Sequence, residues 1–293
     1  MKVCRFNEGD VGLVEGDFVY PIRAPLIQLR EIQAWSGIAE IISVLHDNPT
    51  LARQAQEINQ SNAVKISEAN LIAPIDNPPA IWAAAANYES HQKEMKERVA
   101  AYDRSLMSSD ELMAEIFLKP SSSIIGPNEN IVLPKIAKHV DFECELCAVI
   151  GKTAKNVSFE NALDFVFGYT MCWDISVRDP WGKQRNTRNI RKGFDTFCGL
   201  GPWIVTREEI LDPQDVQIEV KQNNNLVMQA HTKDQINGIR NLIRFLSSVT
   251  TLRPGTLITT GTPSGVSQLA AGDTLHGIIS GIGGMTLNVV SEN

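Results

Sequence analysis

Two glutamates, Glu143 and Glu145, stand two positions apart in the apolar segment HVDFECELCAVIG at residues 139–151. This segment predicts a strand from Asp141 to Gly151, and alternate residues of a strand face the same side. The two carboxylates would then lie together on an apolar strand, which is costly unless a cation neutralises them. Asp174, in the apolar segment GYTMCWD, offers a third carboxylate. Three oxygen ligands favour a hard divalent ion, Mg²⁺ or Mn²⁺, although a half-solvated strand and a turn aspartate would explain the same residues.

A histidine and a carboxylate offer a base for such a site. His91 and Glu94 stand i, i+3 in a segment with helical character, so they share one helix face and can form an imidazole oriented by a carboxylate. The alternative is a histidine that is exposed to solvent among charged neighbours. Lys192 offers an ammonium that would stabilise a developing negative oxygen, and its alternative is a surface lysine beside Arg191.

The five cysteines are an odd number in mostly apolar surroundings, which predicts reduced, buried thiols rather than a disulfide framework. Cys144 and Cys147 form a CxxC pair, a spacing found in zinc and redox sites. On the predicted strand, residues i and i+3 face opposite sides, so these two thiols would not share an ion. The sequence therefore favours the carboxylates over the thiols as metal ligands.

The composition bounds the class of protein. The chain has 293 residues, 43% of them hydrophobic and 21% charged, which is enough for one large domain with a small appendage. A net charge of −7 and a pI near 5.3 argue against nucleic acid or an anionic membrane surface as the main partner. No apolar run reaches the length of a membrane-spanning helix, and the segment MKVCRFNEGD lacks a signal-peptide core, so we expect a cytoplasmic protein.

The hydrophobic pattern divides the chain into two unequal parts. Residues 1–70 predict a small N-terminal α/β accessory domain, with short strands and a helical stretch at 37–59. Residues 71–293 predict a larger catalytic domain in which strands and turns alternate with few helices. So much strand with so little helix predicts a strand-rich α+β fold and argues against a doubly wound sheet.

Six motifs follow one another between residues 71 and 290: ANYESHQKEM, FLKPSSSIIGP, VDFECELCAVIGK, GYTMCWDISVRD, KGFDTFCGLGPWIV and ITTGTPSGV. In this order they resemble the fumarylacetoacetate hydrolase family, of the acylpyruvate hydrolase and 2-oxo acid enzyme type. The resemblance implies a mixed β-sandwich-like roll with short helices, usually assembled as a homodimer. It also implies a divalent cofactor, Mg²⁺ or alternatively Mn²⁺ or Ca²⁺.

The resemblance assigns roles to residues of this chain. It implies that Glu143, Glu145 and Asp174 bind the metal, in agreement with the strand argument. It implies that His91 and Glu94 lie in a mobile lid and activate water, and that Lys192 is an active-site cation. The candidates for substrate binding are Tyr88, Lys119, Arg178, Asp179 and Thr262; Lys119 alternatively holds the acidic cluster, and an unliganded Gly-Pro loop is the alternative for the turn around Thr262.

The implied activity is hydrolysis of the C–C bond of a 2,4-dioxo acid, of the acylpyruvate or fumarylpyruvate type, to pyruvate and a carboxylic acid through a metal-stabilised enolate. Such hydrolases serve the catabolism of aromatic compounds. The same site supports decarboxylation or tautomerisation of a 2-oxo acid such as oxaloacetate, or a ureidoglycolate lyase activity. A catalytically silent member that binds its ion only for structure is the alternative from another class.

Two features depart from the resemblance. Pro180-Trp181 stands where the family commonly has glutamine, and the indole would change which acyl group fits unless Gln184 compensates after a shift. Residues 96–116 form a long, largely charged segment with helical spacing. We expect this segment to be an extended lid or a helix at a dimer contact.

Overall fold

The computed structural model describes residues 1–98, 106–179 and 188–292. The strands in these ranges are β1 Lys2–Phe6, β2 Asp10–Glu15, β3 Phe18–Pro21, β4 Val64–Lys65, β5 Leu71–Ile72, β6 Ile81–Ala83, β7 Phe117–Lys119, β8 Ile124–Ile125, β9 Asn130–Leu133, β10 Val140–Asp141, β11 Cys144–Ile150, β12 Val166–Asp174, β13 Ser176–Val177, β14 Cys198–Thr206, β15 Gln217–Gln222, β16 Asn225–His231, β17 Leu257–Thr259, β18 Thr274–Ile279 and β19 Gly283–Ser291. The α-helices are α1 Arg23–Gln28, α2 Ile38–Asp47, α3 Thr50–Ile58, α4 Glu89–Arg98, α5 Ser109–Ala114, α6 Arg188–Arg191 and α7 Ile239–Val249. None of these helices is both long and apolar enough to cross a membrane.

A mixed sheet of twelve strands forms the centre of the molecule. Its main path runs β4-β3-β2-β1-β14-β12-β11-β17-β6-β7, with β5 paired to β1 and β8 paired to β14. All residues of β11 and β12 are buried, because side chains cover both faces of the sheet at this point. These strands therefore read as nearly continuous apolar runs, and their few charged residues stand out.

The first strands of the chain continue this sheet. Strand β1 pairs antiparallel with β14, with Lys2 opposite Val205 and Val3 opposite Ile204. Helices α1, α2 and α3 pack together on one face of this large sheet, in a core cluster that contains Ile41 and Leu45. The division of the chain near residue 70 stays a prediction, since the two parts share one sheet.

A second sheet, in the order β16-β15-β18-β19-β9, packs against the other face. The two sheets approach closely where β18 passes Trp173, because a Cβ atom on Gly277 would lie 2.6 Å from Cζ2 of this indole. Cys144 belongs to the core between the sheets and Cys147 to the core under the helices. The two thiols thus lie on opposite faces of β11, as the alternation predicted, and the strand-rich α+β class is confirmed.

Two local expectations were wrong. The strand expected at 141–151 is interrupted after Asp141, where the backbone N–H of Phe142 bonds to the carbonyl of Ser267, and it resumes at Cys144. The helical stretch expected at 37–59 is two helices, which separate at Asn48 and Pro49. A proline has no backbone N–H to donate to the preceding turn, so α2 ends before it and α3 begins after it.

Candidate metal centre and active site

Three carboxylates, those of Glu143, Glu145 and Asp174, meet at one end of the paired strands β11 and β12. Strand pairing places Cys144 opposite Trp173, and the backbone N–H of Asp174 donates to the carbonyl of Glu143 at 2.9 Å. Each of the three carboxylates offers an oxygen atom within 4.8 Å of the others, and all three residues are buried. Burial excludes both the half-solvated strand and the turn aspartate as explanations of these residues.

Three cations surround the cluster. Nζ of Lys192 lies 2.7 Å from Oε2 of Glu143 and 2.5 Å from Oδ2 of Asp174, so one ammonium bridges two carboxylates. Nζ of Lys119 lies 2.6 Å from the other oxygen of Asp174, and Nη2 of Arg178 pairs with Oε1 of Glu143. Lys192 is therefore not a surface lysine, and Lys119 lies behind the acidic cluster with a fully buried side chain.

Burial alone would raise the pKa of Glu143, but the nearby Lys192 and Arg178 hold it well below its usual range. Burial would likewise lower the pKa of Lys192, and the charges of Asp174 and Glu143 raise it instead. Glu143 and Lys192 are thus held in their charged forms by the ion pairs around them.

Glu145 differs from the other two carboxylates because no cation pairs with it in the described residues. Its Oε2 accepts a hydrogen bond of 2.7 Å from the backbone N–H of Gly261, while its buried Oε1 has no hydrogen-bond partner there. Burial, together with the charges of Asp174 and Glu143, raises the pKa of Glu145 to about 8. A buried carboxylate oxygen without a partner, beside two further carboxylates, fits a hard divalent cation with oxygen ligands.

His91 and Glu94 lie on helix α4, as predicted, one turn apart on the same face. Nδ1 of His91 lies 3.4 Å from Oε2 of Glu94, and Nε2 lies 3.9 Å from Oε1 of Glu143. Although burial by itself raises the pKa of Glu94, the contact with His91 and the backbone N–H of Gly265 lower it. The side chain of His91 is only 7% exposed, so this histidine is not a solvated one.

A pocket opens between helix α4 and the cluster. Its inner wall includes His91, Glu143, Arg178 and Lys192, and the ring of Phe117 lies 5.3 Å from the ammonium of Lys192. The other lining residues are Ala84, Ala85, Ala86, Gln92, Met95, Lys96, Leu106, Met107 and Arg188. Such a pocket can hold a small anion whose one end meets Lys192 and Arg178 beside Glu143 and whose other end meets apolar and basic side chains.

The remaining predicted residues, Thr262, Tyr88, Asp179 and Lys119, are not among the lining residues of this pocket. Thr262 is buried in the turn after β17, and its hydroxyl donates to the carbonyl of Cys144 at 3.3 Å. Tyr88 is buried before α4, and loss of solvation raises the pKa of its hydroxyl. Oδ2 of Asp179 accepts from the backbone N–H groups of Lys138 at 2.7 Å and His139 at 3.1 Å. The substrate roles of these residues stay predictions, as does that of Lys119.

Sequence reasoning missed two residues of the site. Asp141 extends the alternation of Glu143 and Glu145 by one step, and that spacing was a signal that could have found it. Gly261 has φ of +81°, a conformation that favours glycine, and its N–H group faces Glu145.

Two departures from the family pattern were expected to affect the site. The residues of the first, Pro180, Trp181 and Gln184, lie outside the described residues. Of the segment 96–116, the structure describes residues 96–98, which belong to α4, and residues 106–116, where α5 begins with a capping box at Ser108 and Glu111.

Known proteins resemble the chain over most of its length. The family model described as fumarylacetoacetate (FAA) hydrolase C-terminal matches residues 80–290. Maleylpyruvate hydrolase of Aquipseudomonas alcaligenes is 36% identical over 298 residues, which cover 99% of this chain and 100% of that protein. The mitochondrial oxaloacetate tautomerase of Xenopus laevis is 37% identical over 248 residues, which cover 82% of this chain and 74% of that protein.

A solved structure shows the same fold. Maleylpyruvate hydrolase from Sphingobium sp. SYK-6, in complex with manganese(II) ion and pyruvate, superimposes with a TM-score of 0.81 at 31% identity and covers 100% of both chains. The matched family region contains the carboxylate cluster, His91 and Lys192, and so confirms the recognition from the six motifs. The chain belongs to the fumarylacetoacetate hydrolase family of metal-dependent hydrolases.

Proposed function

We propose that this protein hydrolyses the C–C bond of a 2,4-dioxo acid of the acylpyruvate type, giving pyruvate and a carboxylic acid. The observation that carries the proposal is the position of His91, whose Nε2 faces Glu143 at 3.9 Å while Nδ1 faces Glu94. A purely structural ion site needs no base opposite its ligands. The buried imidazole therefore argues against a catalytically silent family member.

Glu143, Glu145 and Asp174 would hold the divalent ion. A bound ion there supplies Lewis acidity, which stabilises negative charge on the oxygens of a 2-oxo acid. The manganese and pyruvate in the Sphingobium relative support an ion of this kind and a 2-oxo acid next to it. A ligand set of three carboxylates favours Mg²⁺, with Mn²⁺ or Ca²⁺ as alternatives.

His91 is the general base in this proposal. Glu94 on the Nδ1 side favours the tautomer with its proton on Nδ1, which leaves Nε2 free to accept a proton from water. The resulting hydroxide attacks the C4 carbonyl of the substrate, and the imidazolium is stabilised by the carboxylate of Glu94. Met95 and Phe117, on the pocket wall, limit the number of other waters near the reacting carbon.

Cleavage follows from collapse of the tetrahedral adduct. The C3–C4 bond breaks, its electron pair passes to the pyruvate fragment as an enolate, and C4 leaves as a carboxylic acid. The ammonium of Lys192 lies beside the cluster, where it stabilises the negative oxygen. The proton that His91 took from water returns to C3, so one water is consumed for each pyruvate formed.

The outer pocket favours a substrate with a second carboxylate at its distal end. Lys96 and Arg188 line the pocket together with Arg178 and Lys192, whereas Glu143 is the only acidic lining residue among those described. Arg188 forms an ion pair with Glu115, and the side chain of Arg188 remains 26% exposed. A maleylpyruvate-type substrate has such a distal carboxylate, in agreement with the activity of the bacterial relatives.

Tautomerisation of oxaloacetate is the second candidate, favoured by the likeness to the Xenopus enzyme. The same base would then move a proton between C3 and the enol oxygen without attack by water. Acylpyruvates separate the two activities, because a hydrolase releases pyruvate from them and a tautomerase does not.

The decisive assay uses purified protein with Mg²⁺ or Mn²⁺ and a panel of acetylpyruvate, maleylpyruvate, fumarylpyruvate and oxaloacetate. We expect loss of enol absorbance with release of one pyruvate per molecule of acylpyruvate. Enol–keto exchange of oxaloacetate without cleavage of any acylpyruvate would select the tautomerase instead. A folded, metal-loaded protein that turns over none of the four would refute both activities.

A homodimer is part of the same proposal. Strand β7 is the last strand of the described large sheet, and Leu118 on it is 42% exposed beside Ile190, which is 64% exposed. A second copy that covers this apolar edge would remove both side chains from water. Light scattering of the purified protein measures the mass directly, and a monomer would contradict this part of the proposal.

A further inference from the structure

Asp141 is a buried carboxylate shared by three basic groups. Its side chain is 1% exposed, and Oδ2 lies 3.2 Å from Nη2 of Arg98 and 3.1 Å from Nε of Arg178. Oδ1 lies 2.9 Å from Nε2 of His139. Arg98 and Arg178 come from different parts of the chain, so Asp141 joins two distant segments through its carboxylate.

One of these segments is helix α4, which docks along residues 264–266. Polar contacts repeat at every fourth helix residue, so they lie in a row on one side of the helix. In order, they are Ser264 N–H to Oγ of Ser90 at 3.4 Å, Gly265 N–H to Oε1 of Glu94 at 3.0 Å, and Nη1 of Arg98 to the carbonyl of Val266 at 2.8 Å. The last contact comes from the same guanidinium that reaches Asp141.

The base lies on this side of the helix as well. His91, Glu94 and Arg98 stand at i, i+3 and i+7, a spacing that puts all three on one face. Rotation or displacement of α4 would therefore move the imidazole and the guanidinium together. A charge-assisted contact at the end of the helix resists such a displacement more strongly than a neutral hydrogen bond does.

The second segment leads to the carboxylate cluster. Arg178 donates to Asp141 through Nε and to Glu143 through Nη2, so one guanidinium connects the two carboxylates. Its backbone is fixed nearby, because β10 pairs with β13 and the N–H of Arg178 donates to the carbonyl of His139. Asp141 thus has the base-carrying helix on one side and a candidate metal ligand on the other.

We propose that Asp141 is a positioning residue, which fixes helix α4 through Arg98 and so holds His91 over the carboxylate cluster. Asp141 contacts no reacting atom in this arrangement. Its catalytic meaning rests on the proposed hydrolase function, whereas the position of the helix can be measured without any substrate. The rival explanation is that burial of Met95 holds α4 by itself.

The primary test is Arg98→Gln, which removes the helix side of the contact and leaves the pairs of Asp141 and Glu143 with Arg178 in place. We expect kcat to fall about tenfold or more, because small displacements of a catalytic base are costly. KM and the affinity for Mn²⁺, measured by titration calorimetry, should change less than twofold. Lys93→Gln is the matched control, since Lys93 is on the same helix but 61% exposed and paired only with Glu89 among the described residues.

Hydrogen–deuterium exchange of the Mn²⁺-loaded protein supplies a readout that is independent of activity. Arg98→Gln should speed exchange of the α4 amides at least fivefold relative to the wild type and to Lys93→Gln, with the β11 amides unchanged. Arg98→Lys keeps the charge and should recover part of both effects. Asp141→Asn, if folded, should speed exchange of the α4 amides little further in the Arg98→Gln background, in a double-mutant cycle read out by exchange.

The outcomes separate the two proposals. A wild-type protein without hydrolase activity, but with faster α4 exchange in Arg98→Gln, would refute the function and retain Asp141 and Arg98 as the anchor of the helix. Equal kcat and equal α4 exchange in Arg98→Gln and wild type would overturn the positioning role. Loss of kcat with unchanged exchange would also overturn it, because the helix would not have moved.

Discussion

The ammonium of Lys192 lies 2.7 Å from Oε2 of Glu143, a direct ion pair between the candidate oxyanion-stabilising cation and a candidate metal ligand. Both side chains are nearly buried, with exposed fractions of 10% and 6%. Neither charge can be removed without leaving the other in a poorly solvated position. The charge balance of the site and the stability of the fold are therefore linked.

Lys192→Met should lower stability as well as activity. It leaves Glu143 and Asp174 without their bridging cation, and loss of one partner of a buried ion pair costs about 3–5 kcal/mol. We expect the free energy of unfolding in EDTA to fall by about this amount, and saturating Mg²⁺ to restore part of it, measured by urea denaturation. Lys93→Met, at an exposed position of α4, is the control and should change stability by less than about 0.5 kcal/mol. Equal stability of Lys192→Met and wild type in EDTA would contradict the ion-pair account.

Metal binding should depend on pH through Glu145. Its pKa is raised to about 8 in the absence of an ion, and a metal binds the deprotonated carboxylate, so a proton must leave below that pH. We expect the Kd for Mg²⁺ or Mn²⁺ to fall as pH rises from 6 to 8, by up to about tenfold per unit, and calorimetry in buffers of different ionisation enthalpy to show proton release. Proton release that persists undiminished in Glu145→Gln would show that another group is responsible.

The same shift has a consequence for stability without metal. The folded-state pKa of Glu145 lies above its ordinary value of 4.5, so its uncharged form favours the folded state at low pH. That contribution is fully present below pH 4.5 and is lost as pH rises through about 8. In EDTA, Glu145→Gln should remove this component, and the difference in unfolding free energy between variant and wild type should grow by up to about 1.4 kcal/mol per pH unit in that window. A difference that stays constant across the window would contradict the raised pKa.

His91→Ala should separate catalysis from metal binding. The imidazole faces Glu143 at 3.9 Å but is not one of the three candidate metal ligands. Its loss should therefore reduce kcat about 10²–10⁴-fold and change the Kd for Mn²⁺ little. Glu143→Ala is the complementary variant, because it should weaken metal binding and abolish metal-dependent turnover together. Normal hydrolysis by His91→Ala would refute the assignment of the base.

Arg188 and Lys96 should determine the preference for a distal carboxylate. Arg188→Gln should lower the ratio of kcat/KM for maleylpyruvate to that for acetylpyruvate about tenfold, since a charged hydrogen bond to substrate contributes about 1.5–3 kcal/mol. Lys96→Gln, at an exposed position, should change the ratio less. Arg191→Gln removes the same charge from helix α6 outside the pocket lining and serves as the control. A ratio unaffected by Arg188→Gln would exclude this residue from substrate selection.

Several features of the site followed from the sequence because they depend on neighbours along the chain. The alternation of a strand placed Glu143 and Glu145 on one side, and the spacing of a helix placed His91 beside Glu94. The order of the motifs identified the family, which the match over residues 80–290 confirms. The expected unbroken strand at 141–151 was wrong because a contact with distant Ser267 interrupts it.

The sequence by itself determined which residue types could bind a metal, act as a base and carry positive charge, since those properties belong to side chains and local spacing. Only the tertiary structure decided that Asp174 lies beside Glu143 and that Lys119 and Lys192 both pair with Asp174. It also decided that, among the described residues, Gly261 rather than a cation contacts Glu145. It also decided that Asp141 connects Arg98 with Arg178. Burial and ion pairing depend on which distant segments pack together, and Glu94 and Gly265, 171 positions apart, meet in this site.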